Sequence, residues 1–172
     1  MRDILVLRSL VLAGTIAAAA SSQSTTKAAS AQEQMVVRYF REVLDQGDVK
    51  LVETLFHPQC VIHRPEATLR GIEGIRRLVE GRKEVFSQSE TQIHDIFRSG
   101  DRVAVRLSHR AVGRVIWRSR LGSHDVTGKP VTWNAIVIFR FQDGKIMEEW
   151  VSRDELGMLL GFGLLKPSNE AR

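Results

Sequence analysis

The stretch Val131–Gly163, VTWNAIVIFRFQDGKIMEEWVSRDELGMLLGFG, decides how this chain folds. It reads as a long strand, a tight Asp143-Gly144 turn, a second strand and a short amphipathic helix. Asp-Gly between two apolar runs is a strong hairpin signal, because both turn residues must accept positive φ. Before the turn, Trp133, Val137, Phe139 and Phe141 share one face, and Asn134, Ile136, Ile138 and Arg140 the other. Both faces are largely apolar near the middle, which predicts a central strand covered on both sides. After the turn, simple alternation puts Ile146, Glu148, Trp150, Ser152 and Asp154 on one face. Charged and aromatic residues mixed on a strand beside a buried neighbour predict a cavity rather than a filled core.

Working outward, the chain in front of this unit has the elements needed to enclose such a cavity. Met35, Val36, Tyr39, Phe40, Val43 and Leu44 recur at helical spacing over Gln32–Gln46, which Gly47 ends. Asp48 caps a second helix, Asp48–Phe56, closed by Pro58. Cys60–Arg64 is a short strand stopped by Pro65. Gly71–Phe86 is a third helix with an Ile72, Ile75, Leu78, Val79, Val85 stripe. From Thr91 the period changes to two, giving strands Thr91–Arg98 and Arg102–Val112 around Ser99-Gly100-Asp101. On the second of these, Val103, Val105, Leu107 and His109 oppose Ala104, Arg106 and Ser108. The segment Gly113–Gly128 continues the strand through Trp117 and then loops, with Thr127–Pro130 turning into the organising strand. Helices segregated against a mainly antiparallel sheet make an α+β domain. A curved sheet closed by helices forms a cone with an apolar interior.

The 172 residues suit one domain, and 43% hydrophobic residues argue against disorder. Met1–Ala20 has two arginines, an apolar run and then small residues, the build of a secretory signal peptide too short to span a membrane. Cleavage is expected after Ala20 or, preferably, at Ala29-Ser30-Ala31. Residues 1–31 are then signal peptide and linker, 32–165 the domain and 166–172 a polar tail, and the product is exported, periplasmic or secreted. The leader carries Arg2, Arg8 and Lys27 against Asp3, so the net charge of +5 falls to +3. That balance does not demand a nucleic-acid partner. The run Arg110, Arg114, Arg118, Arg120 reads as a solvated strand face, and no membrane association is expected after signal cleavage. Cys60 is the only cysteine and reads as a small buried hydrophobe. The five histidines form no metal-ligand pattern, and no phosphate loop follows a strand.

The sequence resembles the SnoaL-like polyketide cyclase (ester cyclase) branch of the nuclear-transport-factor-two-like superfamily. The matching pieces are Tyr39-Phe40 and Asp48, VIHRPE (Val61–Glu66), GIEGIRRLV (Gly71–Val79) and DRVAVRL (Asp101–Leu107). Further along come TGKPVTW (Thr127–Trp133), IFRFQDGKIMEEW (Ile138–Trp150) and DELGMLLGFG (Asp154–Gly163). The resemblance implies a conical α+β barrel, a homodimer, no cofactor and no metal. It also implies a general acid/base aspartate near the C-terminus, best matched by Asp154, for an intramolecular aldol closure. The arginine-rich segment between Arg106 and Thr127 is longer than the compact turn usual in the family.

A desolvated carboxylate suits proton removal beside a carbonyl. Asp154, near Trp150, Leu156 and Met158, is the candidate base. Ser152-Arg153-Asp154-Glu155 also fits a capping box, with Asp154 a first-turn acid favoured by the helix dipole. His63 and His109 are candidate proton shuttles or donors, or else satisfied core residues. Arg106 is a candidate for orienting an ester or carboxylate, against an ion pair with Glu148 or Glu149. Trp133, Glu148 and Trp150 complete the expected substrate wall. The residues thus point to a small hydrophobic carbonyl or ester compound, turned over by a cyclase or isomerase, or simply bound.

Overall fold

In the computed structural model, which describes residues 29–119 and 122–166, the first helix starts one turn earlier than its apolar stripe. Ser30 N-caps α1 (Ala31–Arg38) in a reciprocal box: the Glu33 amide donates to Ser30 Oγ at 3.2 Å, and the Ser30 amide to Glu33 Oε2 at 2.6 Å. The leader expected over 1–20 lies outside the described residues, as does the tail beyond Lys166; the second cleavage site expected, Ala29-Ser30-Ala31, falls on this cap. The helix continues as a π-helical segment, Tyr39–Asp45, with Tyr39, Phe40, Val43 and Leu44 buried. The second helix is shorter than expected. Asp48 caps a 3-10 turn (Val49–Leu51), and α2 (Val52–Leu55) is a single turn. Phe56 already belongs to strand β1 (Phe56–His63), where it pairs with Ile146. Pro58 therefore lies inside a strand, within the stretch between Phe56 and Val61 where pairing is interrupted.

A short strand the sequence did not reveal, β2 (Thr68–Arg70), leads into α3 (Gly71–Val85). Then follow β3 (Phe86–Ser99), β4 (Arg102–Gly113), a hairpin of β5 (Ile116–Ser119) and β6 (Gly122–Asp125), β7 (Pro130–Gln142), β8 (Lys145–Arg153) and α4 (Glu155–Gly161). The main sheet has six strands in the order β2-β1-β8-β7-β4-β3. All neighbours are antiparallel except β1 and β8. Asp143 and Gly144 turn β7 into β8 at φ 51° and 73°, as the Asp-Gly signal requires.

Val103, Val105, Leu107, Val137, Phe139 and Ile146 face the helices and build the main core with Tyr39, Phe40, Phe56 and Ile75. A second cluster closes one end, with Trp117 from the hairpin against Trp133, Met158 and Phe162. The opposite face of the sheet is not covered as the sequence predicted. Ile136 is 54% and Ile138 37% exposed, so β7 is central in the sheet but packed on one side.

Gly113 holds the hairpin in place. Its amide donates to the Lys129 carbonyl and its carbonyl accepts from Gly128, both at 2.9 Å. A Cβ here would run into the Val126 carbonyl, which as backbone cannot turn aside. Gly113→Ala should therefore lower stability by about 1–3 kcal/mol and loosen the hairpin around Trp117. Thermal unfolding followed by tryptophan fluorescence reads both effects; an unchanged midpoint would show that the strands part there at no cost.

Candidate active site

The site is set by an extra residue in β8. Glu148 pairs with Arg140 on β7 but Ile146 with Phe141, so Met147 is a bulge. Alternation resumes one step out of phase. Ile146 and Glu149 both face the helices, followed by Val151 and Arg153, while Glu148, Trp150 and Ser152 face outward. Glu149, Val151 and Arg153 line a cavity of about 180 Å³ between sheet and helices. Phe40, Leu44, Leu78, Phe86, Trp133 and Met158 give it apolar walls, and Arg64, Arg82, His109, Glu149 and Arg153 give it polar ones.

Glu149 is 1% exposed. Its Oε1 is 3.9 Å from an Arg64 terminal nitrogen, and its Oε2 has no hydrogen-bond partner. Burial pushes its carboxyl up to about 7, against the pull of the Arg64 charge. The Tyr39 hydroxyl is itself buried and completes no hydrogen bond.

His109 stands at the other side of the cavity, its ring 5.9 Å from Phe40 and 5.1 Å from Trp133. Nδ1 lies 2.9 Å from Thr91 Oγ1, which lies 2.8 Å from Asp45 Oδ1. The Thr91 amide donates to Asp45 Oδ2, also at 2.8 Å. The Thr91 hydroxyl donates to the carboxylate, the stronger acceptor. Its oxygen can then accept from Nδ1–H, whereas the Arg82 guanidinium, a donor only, calls for a lone pair on Nδ1, so the two contacts favour opposite tautomers. Burial, with the charges of Arg82, Arg64 and Arg153 behind it, holds the imidazole well below its ordinary pKa, hence neutral at neutral pH. Arg82 lies 5.4 Å over the Trp133 ring and 3.3 Å from Nδ1. Burial brings its guanidinium down to about 10.

Of the residues expected from sequence, His109 and Trp133 line this cavity. The others lie elsewhere, Glu148 and Trp150 because the bulge reverses the face assumed for β8. His63 stacks on Trp150 at 5.6 Å and faces Glu148 at 3.5 Å, so these three do meet, but on the outer face. Glu148 also accepts from Arg140 at 2.7 Å. Arg106 is outward too, and donates to Asp95 at 2.6 Å rather than to Glu148 or Glu149. Asp154 is exposed and is itself the N-cap of α4, in place of Ser152. Its Oδ1 accepts from the Gly157 amide at 2.7 Å, in space that a Cβ on residue 157 would fill. Among the described residues, no group of three His, Cys, Asp or Glu side chains is placed to hold a metal ion.

The chain belongs to the SnoaL-like polyketide cyclase family, whose model matches residues 34–160. A search of the curated proteins gives no match. Among solved structures, TsrD from Streptomyces laurentii is similar at 24% identity and a TM-score of 0.68, over 78% of this chain and 97% of that one. IdmH from Streptomyces antibioticus is similar at 24% identity and a TM-score of 0.64, over 77% and 98%. A candidate polyketide cyclase from Acidithiobacillus ferrooxidans is 19% identical with a TM-score of 0.69, over 81% and 99%. At such identities the likeness is one of fold, the curved α+β barrel of the nuclear-transport-factor-two-like type.

Glu149 makes stability depend on pH. Its carboxyl titrates at 4.5 ordinarily and at about 7 when folded, so the folded chain holds the proton more tightly. The stabilisation is complete below 4.5 and is lost as pH rises through 7. Glu149→Gln should thus gain on the parent protein as pH rises, by at most about 3 kcal/mol at pH 8. Urea unfolding of both proteins at pH 5 and pH 8 measures this; a pH-independent difference would show that the carboxyl is not desolvated.

Proposed function

We propose that this protein is a cofactor-independent enzyme of the cyclase or isomerase kind, which moves a proton at a carbon next to a carbonyl group. The observation that carries this reading is Glu149, a buried carboxyl with one unpartnered oxygen on the cavity and an affinity for protons balanced near neutrality. A base works best when its pKa lies near the working pH. The family supports the reading, since it shares the fold and is described as one of polyketide cyclases.

In this mechanism Glu149 Oε2 takes a proton from the carbon beside the carbonyl of a small hydrophobic compound. The C–H electron pair moves into an enolate, whose oxygen is met by guanidinium N–H groups of the cavity wall. The enolate carbon then either attacks a second carbonyl of the same molecule, closing a ring, or is reprotonated at another position. The proton on Glu149 returns to the new alkoxide or to carbon, restoring the carboxylate. His109, held neutral by its burial, shares a hydrogen bond with an oxygen of the substrate and so orients it. Turnover should rise with pH through about 7, as Glu149 loses its proton.

Deuterium exchange at the α-carbon of 2-tetralone in D2O, followed by NMR, tests the proton transfer directly. The protein should accelerate exchange, and Glu149→Gln should reduce that acceleration by about 10²–10⁴-fold. Asp154→Ala should keep the rate and lower stability by about 1 kcal/mol, as loss of a helix cap does. Full exchange in Glu149→Gln, or its loss in a folded Asp154→Ala, would place the base elsewhere. No acceleration would leave a binding protein.

Two further features belong to this reading. The leader-like residues 1–20 support export, and the exposed Ile136 and Ile138 support pairing of two copies across the outer sheet face. Sedimentation equilibrium should then give a dimer that Ile138→Glu converts to a monomer; a monomeric parent protein would dismiss the pairing.

A further inference from the structure

One enolate oxygen uses two or three hydrogen-bond donors, and the cavity wall holds many more. The side chains of Arg64, Arg82 and Arg153 are 12%, 9% and 11% exposed. In each, the buried Nε–H has no acceptor. A guanidinium carries five N–H donors and no acceptor. Arg153 spends its terminal nitrogens on Glu66 and Glu155, at 3.0 and 2.8 Å. The Arg64 guanidinium makes no hydrogen bond to a described residue: Glu66 is 3.5 Å away and Glu149 3.9 Å. Arg82 makes only the 3.3 Å contact to His109, with Asp45 at 3.8 Å. Against these donors stand two unpartnered oxygens, Glu149 Oε2 and the Tyr39 hydroxyl. Buried charges left without partners are costly, so an array of this kind is expected where a ligand completes it.

The shape of the shortfall defines what is missing. Asp45 stands beside Arg82, Glu66 beside Arg64 and Arg153, and Glu155 beside Arg153, so three carboxylates match the three guanidinium charges and the shortfall is one of acceptors rather than of negative charge. It suits one singly charged group with two coplanar acceptors, rather than a dianionic phosphate. The remaining walls, with Phe40, Phe86 and Trp133, suit an apolar and preferably flat body.

We propose that the compound bound in this cavity carries a carboxylate, which docks on Arg64, Arg82 and Arg153 while its apolar body lies against Phe40, Phe86 and Trp133. The inference rests on the reading that this cavity is the substrate site. It narrows the expected carbonyl or ester compound to an oxo acid. The carboxylate anchors on the arginines, and the carbon to be deprotonated reaches Glu149. A neutral ester of the same body would leave the same donors unsatisfied and be discriminated against.

Calorimetric titration of the protein with 2-naphthoate and with 2-naphthamide tests this, since the two share a body and differ in charge. The acid should bind about tenfold or more tightly than the amide. Arg64→Gln should remove most of that preference, and Arg64→Lys, which keeps the charge but loses the fork, should restore part of it. Glu149→Gln should tighten naphthoate at pH 8, where it removes a neighbouring negative charge. Equal affinity for acid and amide, a preference unchanged in Arg64→Gln, or no binding of naphthoate would each overturn the proposal. The 2-tetralone exchange can fail while naphthoate still binds, and the reverse, so failure of proton transfer and failure of the carboxylate site are told apart.

Discussion

The extra residue in β8 is the constraint on which the site depends. A strand held between β7 and β1 cannot change face by twisting a single side chain; one inserted residue moves every later side chain to the other side. Without Met147 as a bulge, Glu149 and Arg153 would point away from the helices. Glu148 and Trp150 would then enter the cavity instead. The pairing of β8 with β1 fixes the arrangement from the second side, because Ile62 lies opposite Glu149 and His63 opposite Trp150. Arg64, two residues beyond Ile62, continues the inward face and comes within reach of Glu149.

Once those charges face inward, the neighbouring elements have to accommodate them. The π-helical segment places Tyr39, Phe40 and Asp45 along one side, and Asp45 ties that segment to β3 through both the amide and the hydroxyl of Thr91. The same hydroxyl orients His109 on β4. A helix distortion, a strand and a buried imidazole are thus joined by one carboxylate. On the other side α3 contributes Arg82, supported by the face of Trp133. The hairpin of β5 and β6 and the helix α4 then shut the end of the barrel with apolar contacts. What remains is a small space in which burial has brought a carboxyl near neutrality.

Most of this architecture can be read from the sequence, because its elements announce themselves locally. The period-two runs of β4 and β7, the Asp143-Gly144 turn and the stripe of α3 each follow from side-chain alternation. His109 and Trp133 lie on the cavity because strict alternation holds on their strands. The site beyond them is not legible in the same way. A bulge leaves no mark in a pattern such as KIMEEWVSR, where either glutamate could be the inward one. Arg82 did leave a mark: it sits at the place in the Ile75, Leu78, Val79 stripe where an apolar residue is expected. A charge at such a position signals either a surface helix or a polar cavity, and only the packing of α3 against β1 and β3 distinguishes them. The parallel pairing of β1 with β8 joins residues far apart in sequence and leaves no local signal.

The contrast between Asp154 and Glu149 shows where family membership stops being informative. Both are carboxylates at the C-terminal end of the same strand–helix unit, five residues apart. Asp154 spends an oxygen on the Gly157 amide at the exposed start of α4, where water reaches it. Glu149 keeps an oxygen free inside the barrel, where burial desolvates it. A base able to act near neutral pH requires desolvation, and desolvation depends on which face of a strand a residue occupies. Members of one fold can therefore keep the strand, the turn and the helix while one inserted residue changes which acid meets the substrate. In this chain the geometry favours the glutamate, and the unpartnered guanidinium donors around it favour a ligand that brings its own acceptors.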